Sequence, residues 1–246
     1  MSFFGFRGGA GLVGNFYDLK QSRTGSDNKM TDERYSDIVL RFVRDNWRSS
    51  ILDEFFRGPK PLTTPQIMVP QMEAGEGPKA FGLDVKPSRF LVHYKGRVSP
   101  PKSGTYHFVG AGDDVLFVRF NGKLVLDRCW YLHSGWKPVA NYDYGFSTIK
   151  DGFAKGDAIQ VEAGRFYDME VLVGEQGGGL MYFCLLVEEQ GVQYEKDGRG
   201  NPILPIFRIS DTKMPALQGA QTFPPFKADG PIWRAQSASG GLTLPR

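Results

Sequence analysis

Scarcity narrows the role of this chain first. Its 246 residues include two cysteines, Cys129 and Cys184, and three histidines. Two cysteines exclude a disulfide framework, and Cys184 lies in an apolar run where a buried free thiol is expected. His93, His107 and His133 share no metal-ligand spacing. No G-x-S-x-G elbow accompanies His133-Ser134, and no other catalytic motif assembles, so a non-enzymatic role is expected. No run approaches the ~20 apolar residues of a transmembrane helix. The opening MSFFGFRGGAG is too short and glycine-rich for a secretory signal. A net charge of +3, with Lys and Arg scattered, gives no nucleic-acid surface.

What is abundant points to strands and turns. There are 31 glycines, 16 prolines, 19 phenylalanines and 10 tyrosines. Gly9-Ala10-Gly11-Leu12-Val13-Gly14 spells a dinucleotide fingerprint, but no strand precedes it and no helix follows. It reads instead as the lead-in to a first strand, about Gly11–Leu19. Residues 20–30 are polar loop. The period then changes: Tyr35, Ile38, Val39, Phe42 and Val43 make one apolar helical face, with Thr31 as N-cap and Asp32 and Glu33 in the first turn. A second helical run containing Ile51, Leu52, Phe55 and Phe56 ends at Gly58-Pro59, with Trp47 plugging the junction. Residues 58–80 carry prolines at 59, 61, 65, 70 and 78 and read as an extended connection.

From 88 onward the pattern is β. RFLVHYKGRVSP and TYHFVGAG are strands, and Asn121-Gly122 turns a hairpin in which Phe120 faces Lys123, Val118 faces Val125 and Leu116 faces Asp127. Both faces of that hairpin are largely apolar, which places it inside the sheet system. Residues 128–146 form a long aromatic loop. Two short strands flank Ala163-Gly164, and LMYFCLLVEEQG is a strongly apolar last strand. Prolines at 202, 205, 215, 224, 225, 231 and 245 mark an extended tail, with PILPIFRIS as one more edge strand. Trp233, Phe223 and Phe226 give this tail something to bury, against its own domain or a partner.

Several motifs fall in a familiar order. Pro101-Lys102-Ser103-Gly104-Thr105-Tyr106-His107-Phe108 is followed by Asp113-Asp114, then Asn121-Gly122-Lys123-Leu124-Val125-Leu126-Asp127. Val161-Glu162-Ala163-Gly164-Arg165-Phe166-Tyr167 and Gly177-Gly178-Gly179 complete the set. Over residues 88–188, with GLVGNFYDL at the start, the chain resembles the PA14 domain family. The resemblance implies a mainly β fold, an antiparallel β-sandwich over 1–194; the helices of 31–57 depart from the family's usual plan and read as an insertion after the first strand. Residues 195–246 are the proline-rich tail.

PA14 domains occur in toxins, glycosidases, adhesins and cell-surface proteins, mostly as carbohydrate-binding or interaction modules. In yeast adhesins of the family an Asp-Asp pair joined by a cis peptide holds a calcium ion that also binds sugar hydroxyls, and a later Asn completes the site. Carried over, this implies calcium at Asp113 and Asp114, with Gln176 where such members have Asn, and Glu175 beside it. Paired carboxylates suit an ion that takes six to eight oxygens. Adjacent aspartates also shape loops by bonding nearby backbone N–H groups, and both readings stay open. Trp130, Tyr131, Trp136, Tyr142 and Tyr144 follow the hairpin as candidate sugar-facing or protein-facing rings. The function expected is a carbohydrate-binding or interaction module at a cell surface or envelope. The alternative is an assembly subunit without ligand, forming homo-oligomers through its tail.

Overall fold

A computed structural model describes residues 2–129, 135–146 and 152–236. Strand β1 (Leu12–Ser22) pairs antiparallel with β5 (Phe90–Ser99), and β5 with β12 (Tyr167–Glu175). β12 continues to β7 (Val115–Phe120), and β7 to β8 (Lys123–Asp127). On β1 lie β2 (Phe55–Arg57) and β3 (Leu62–Thr64), and on β5 lies β14 (Arg234–Ala235). The second sheet runs β4 (Met68–Glu73), β13 (Leu180–Glu189), β6 (Gly104–Asp113), β10 (Phe153–Lys155) and β9 (Ala140–Tyr142), with β11 (Ile159–Val161) also on β6. The strands alternate, and their inner residues meet: Phe16, Val92, Leu116, Val118 and Val171 from the first sheet pack with Phe108, Phe183, Leu185 and Val187 from the second. The chain is an antiparallel β-sandwich, mainly β, with a helix after the first strand.

Helix α1 (Asp32–Arg44) starts where its sequence says it should. Thr31 accepts a hydrogen bond from the Arg34 N–H at 3.2 Å, Asp32 and Glu33 sit in the first turn, and Arg41 and Arg44 in the last. Tyr35, Ile38, Val39, Phe42 and Val43 are all buried, against Tyr17, Leu91, Val115, Phe117 and Leu172 on the outer face of the first sheet. This explains why the 115–127 hairpin is apolar on both sides: one face lines the sandwich core and the other lies under α1.

Several expectations change: β1 runs on to Ser22, into the segment read as polar loop, and Ala140–Tyr142, within the segment read as an aromatic loop, forms β9. The second helix, α2, covers only Ser49–Leu52. Phe55–Arg57 leaves it to pair with β1, Tyr17 opposite Arg57, because an edge strand's backbone groups and the β preference of Phe outweigh another helical turn. Residues 58–80 are not a plain connection but hold β3, β4 and a short helix α3 (Glu76–Ala80). Pro70 is tolerated in β4 because that strand is a sheet edge and its register with β13 shifts there. The hairpin has Phe120 opposite Lys123, and Asn121 and Gly122 at φ 48° and 81°, as the turn demands. Yet Val118 pairs with Leu126 and Phe117 with Asp127, because a bulge turns the Val125 carbonyl outward to accept the Asp157 N–H at 2.8 Å. Finally, PILPIFRIS makes isolated bridges, Leu186 with Ile206 and Gln66 with Arg208, where Pro202 and Pro205 lack the N–H a full ladder needs.

The described part of the tail packs on its own sandwich. Leu204 and Ile206 cover Val109, Cys184 and Leu186 on the outer face of the second sheet. Trp233 is fully buried among Tyr106, Phe108, Phe120 and Phe207. Cys129 and Cys184 are both buried and free.

Candidate functional site

β6 belongs to the second sheet and β7 to the first, so the chain changes sheets between Asp113 and Asp114. The peptide joining them is cis, as the family resemblance implies. The Asp114 N–H donates to the Gly174 carbonyl at 3.1 Å, and Asp114 Oδ2 accepts the Gln176 N–H at 2.7 Å. These bonds tie the sheet crossing to the end of β12. There Glu175 turns its side chain inward and is only 2% exposed. Its Oε1 accepts the Gly178 N–H at 2.6 Å, while its Oε2 is buried without a partner. The role of the glycine run is then clear: Gly178 sits at φ 95° and backs directly on Pro87 and Ser88, where a Cβ would meet the Pro87 carbonyl at 3.2 Å.

Three carboxylates thus bear on one another. Burial, then the charge of Asp114, pushes the Asp113 carboxyl up to about 7. Burial, then Asp114, raises Glu175 to about 8, with the Gly178 N–H pulling the other way and Asp113 adding to the rise. Among the described residues, no three His, Cys, Asp or Glu side chains form a group able to hold a metal ion. The set is nonetheless chemically suited to a hard cation. It is all oxygen, its members repel, and one oxygen on Glu175 is buried and unclaimed.

The remaining residues singled out from the sequence are spread. Gln176 is half-buried beside the pair, with its N–H on Asp114 and its carbonyl accepting the Arg89 N–H at 3.2 Å. Trp136 donates Nε1–H to Asp157 Oδ2 at 3.2 Å and packs on the main core, beside the bulge of β8. Tyr142 donates to Glu188 at 2.8 Å, beside the Lys155–Glu188 ion pair. Glu188 lies six residues along β13 from Tyr182, the residue opposite Asp113, which is ~20 Å at strand rise. The structure therefore does not bring Tyr142 to the aspartates. Tyr144 is buried with its hydroxyl on the Pro202 carbonyl. Trp130, Tyr131 and His133 lie outside the described residues. Sequence reasoning missed the buried state of Glu175 and the amide that holds it. The only signal was a carboxylate three residues before a glycine at a strand end. His93 and His107 are both bonded, to Glu170 and to the Gly156 carbonyl, each at 2.9 Å.

Comparison with known proteins gives no match among curated sequences. Several solved structures are similar to this chain at low identity. A PA14 sugar-binding domain from an RTX adhesin is 17% identical, with TM-score 0.44, over 76% of this chain and 94% of that one. The Epithelial Adhesin 6 A domain from Candida glabrata, solved with Galβ1-3GlcNAc, is 16% identical, with TM-score 0.45, over 74% and 81%. The PA14 domain of the MpAFP antifreeze protein is 15% identical, with TM-score 0.41, over 74% and 82%. The model of the PA14 domain matches residues 50–186, more than half of the 246 residues, and the chain belongs to the PA14 domain family.

Proposed function

We propose that this PA14 domain is a non-catalytic carbohydrate-binding module of a cell surface or cell envelope. Its site lies at the sheet crossing, and calcium is its cofactor. The observation that carries the reading is a half-buried aspartate pair with a buried third carboxylate behind it: the charge of Asp114 adds to burial in raising the proton affinity of Asp113 and Glu175, and Glu175 Oε2 has no hydrogen-bond partner. Asp113 and Asp114 would hold the ion. The side-chain carbonyl of Gln176, backbone oxygens and the hydroxyls of a sugar complete a sphere that carboxylates alone do not close. Bound calcium supplies positive charge and vacant positions for vicinal hydroxyls. Glu175 stands behind the pair, fixing the glycine turn through Gly178. Trp130 and Tyr131, in the segment that follows β8, are the candidate ring faces for the sugar's C–H side.

The alternative, an assembly subunit that associates through its tail, is weakened by where the tail's large residues go. Trp233, Phe207 and Ile209 are buried within their own chain, Phe223 and Phe226 are half-buried against it, and among the described tail residues only Leu217 is a large exposed apolar side chain. Among the described residues no helix is long and apolar enough to cross a membrane.

Calorimetry with calcium, and glycan binding with and without EDTA, test the reading. Saturation at a hundred times the dissociation constant stabilises the fold by ~2.7 kcal/mol. At ~2–4 °C per kcal/mol for a domain of this size, the melting temperature should rise by about 5–11 °C. Asp113→Asn with Asp114→Asn should remove both the rise and the glycan binding. No heat of calcium binding at millimolar concentration would return the aspartates to loop-shaping and put the assembly reading ahead.

A further inference from the structure

The end of β1 carries a buried ion pair that the proposed binding role does not use. Asp18 is fully buried. Lys20 Nζ reaches its Oδ1 at 2.5 Å, the Lys20 N–H reaches the same oxygen at 3.1 Å, and Gln21 Nε2 donates to Oδ2 at 2.9 Å. Burial lowers the proton affinity of Lys20, with Asp18 opposing. Pairs of this kind are often no more stabilising than apolar residues of the same size, so stability alone does not account for this one. A second contact does: Lys20 Nζ also donates to the main-chain carbonyl of Ser88.

Ser88 sits in the segment against which the candidate site is built. Arg89 next to it is bonded on both sides: its carbonyl accepts the Leu19 N–H at 3.1 Å and its N–H donates to the Gln176 carbonyl at 3.2 Å. Pro87 and Ser88 form the surface on which Gly178 rests. The amides of Gln176 and Gly178 hold Asp114 and Glu175. The Arg89 guanidinium is tethered to Asp32, in the first turn of α1, at 2.8 Å. A continuous set of contacts therefore runs from the Asp18–Lys20 pair, through residues 87–89 and the glycine turn, to the two carboxylates.

We propose that Lys20 is a positioning residue for the Asp114–Glu175 site: by gripping the Ser88 carbonyl it presses residues 87–89 against the glycine turn and sets where the two carboxylates stand. The inference rests on the binding role above only for its consequence in affinity. Amide hydrogen exchange tests the positioning itself. In Asp18→Asn/Lys20→Met, where no charge is left unpaired, the Gln176 and Gly178 amides should exchange about ten-fold faster, while Val171 and Leu186 within their strands keep their rates. Lys20→Arg, which retains a donor for Ser88, should keep both site amides near their wild-type rates. Calcium affinity should fall about ten-fold in the double variant, in step with the local opening. Unchanged exchange at Gln176 and Gly178, or an equal acceleration at every amide, overturns the proposal. Should the double variant fail to fold, Asp32→Ala at the exposed tether decides, with about three-fold faster exchange at the same two amides expected and no change counting against it. A wild type that ignores calcium sinks the binding reading alone, since the exchange comparison still judges Lys20.

Discussion

Replacing Phe42 by alanine is the sharpest test of how the helix is joined to the sandwich. Phe42 is fully buried in the last turn of α1. Its ring lies edge-on to His93 at 5.0 Å and tilted to Trp47 at 5.4 Å, so it fills the space between the helix and the outer face of the first sheet. Truncation removes the transfer energy of the ring and leaves a cavity, at a cost of ~3–5 kcal/mol. Alanine returns about 0.5 kcal/mol through its better helix propensity, which leaves the sign unchanged. The net loss should lower the melting temperature by about 5–20 °C at the usual scaling for this chain length. Urea unfolding followed by tryptophan fluorescence reads it out, with Trp47 as a local reporter. A loss below about 1 kcal/mol would mean that α1 is not part of the core that unfolds cooperatively. So would a separate early transition confined to the Trp47 signal.

Acid should weaken the metal-free fold in a particular way. Burial holds His93 below its ordinary value despite its bond to Glu170, so the unfolded chain takes that proton first. The stability it contributes is complete above about 6.5 and lost as pH falls below it. Burial would raise Glu170, but His93, Arg119 and Lys95 win and bring it to about 2, so its contribution is present above about 4.5 and disappears toward 2. Asp113 and Glu175 run the other way: their raised values of about 7 and about 8 mean that stability is lost as pH climbs from the unfolded carboxylate range to those values. Denaturant midpoints of wild type and His93→Gln, differenced across pH 4–8, isolate the histidine step; parallel curves would refute it. Separately, Gly122→Val should destabilise the fold, since φ of 81° is closed to a β-branched residue, and an unchanged midpoint would contradict the turn geometry.

Local signals in the sequence were legible where a single element decides the outcome. Thr31 and the Tyr35–Val43 period specify α1 with its cap, and Asn121-Gly122 specifies its turn. Long-range pairing decided the rest. Phe55 and Phe56 fit either a helix face or a strand, and only the open edge of β1 chooses between them. The bulge that slips Val118 from Val125 to Leu126 depends on Asp157, an acceptor-seeking N–H thirty-two residues downstream of Val125. At the candidate site the adjacent aspartates announced themselves. Glu175 did so less, because burial of a carboxylate depends on neighbours that only the fold supplies. Tyr142 looked eligible as an aromatic beside a polar loop, but β9 carries it along β13 to Glu188.

The distribution of covered surface also argues for the sheet crossing as the working end. The outer face of the first sheet is occupied by α1 through Tyr35, Val39 and Phe42. The outer face of the second is occupied by Leu204 and Ile206 of the tail, beside Tyr144. With part of each broad face drawn into the core, the strand ends and their loops make up much of the surface left for a ligand. At one of those ends the chain passes between sheets through two adjacent acidic residues, a third carboxylate is buried behind them, and a glycine turn supplies amides to two of the three. Loop-shaping accounts for Asp114, whose oxygen is satisfied by Gln176. It leaves Glu175 Oε2 unexplained, because a carboxylate needed only to shape a turn has no reason to keep one oxygen dry and unpartnered. The cation proposed for this end would answer that oxygen and relieve the repulsion among the three together.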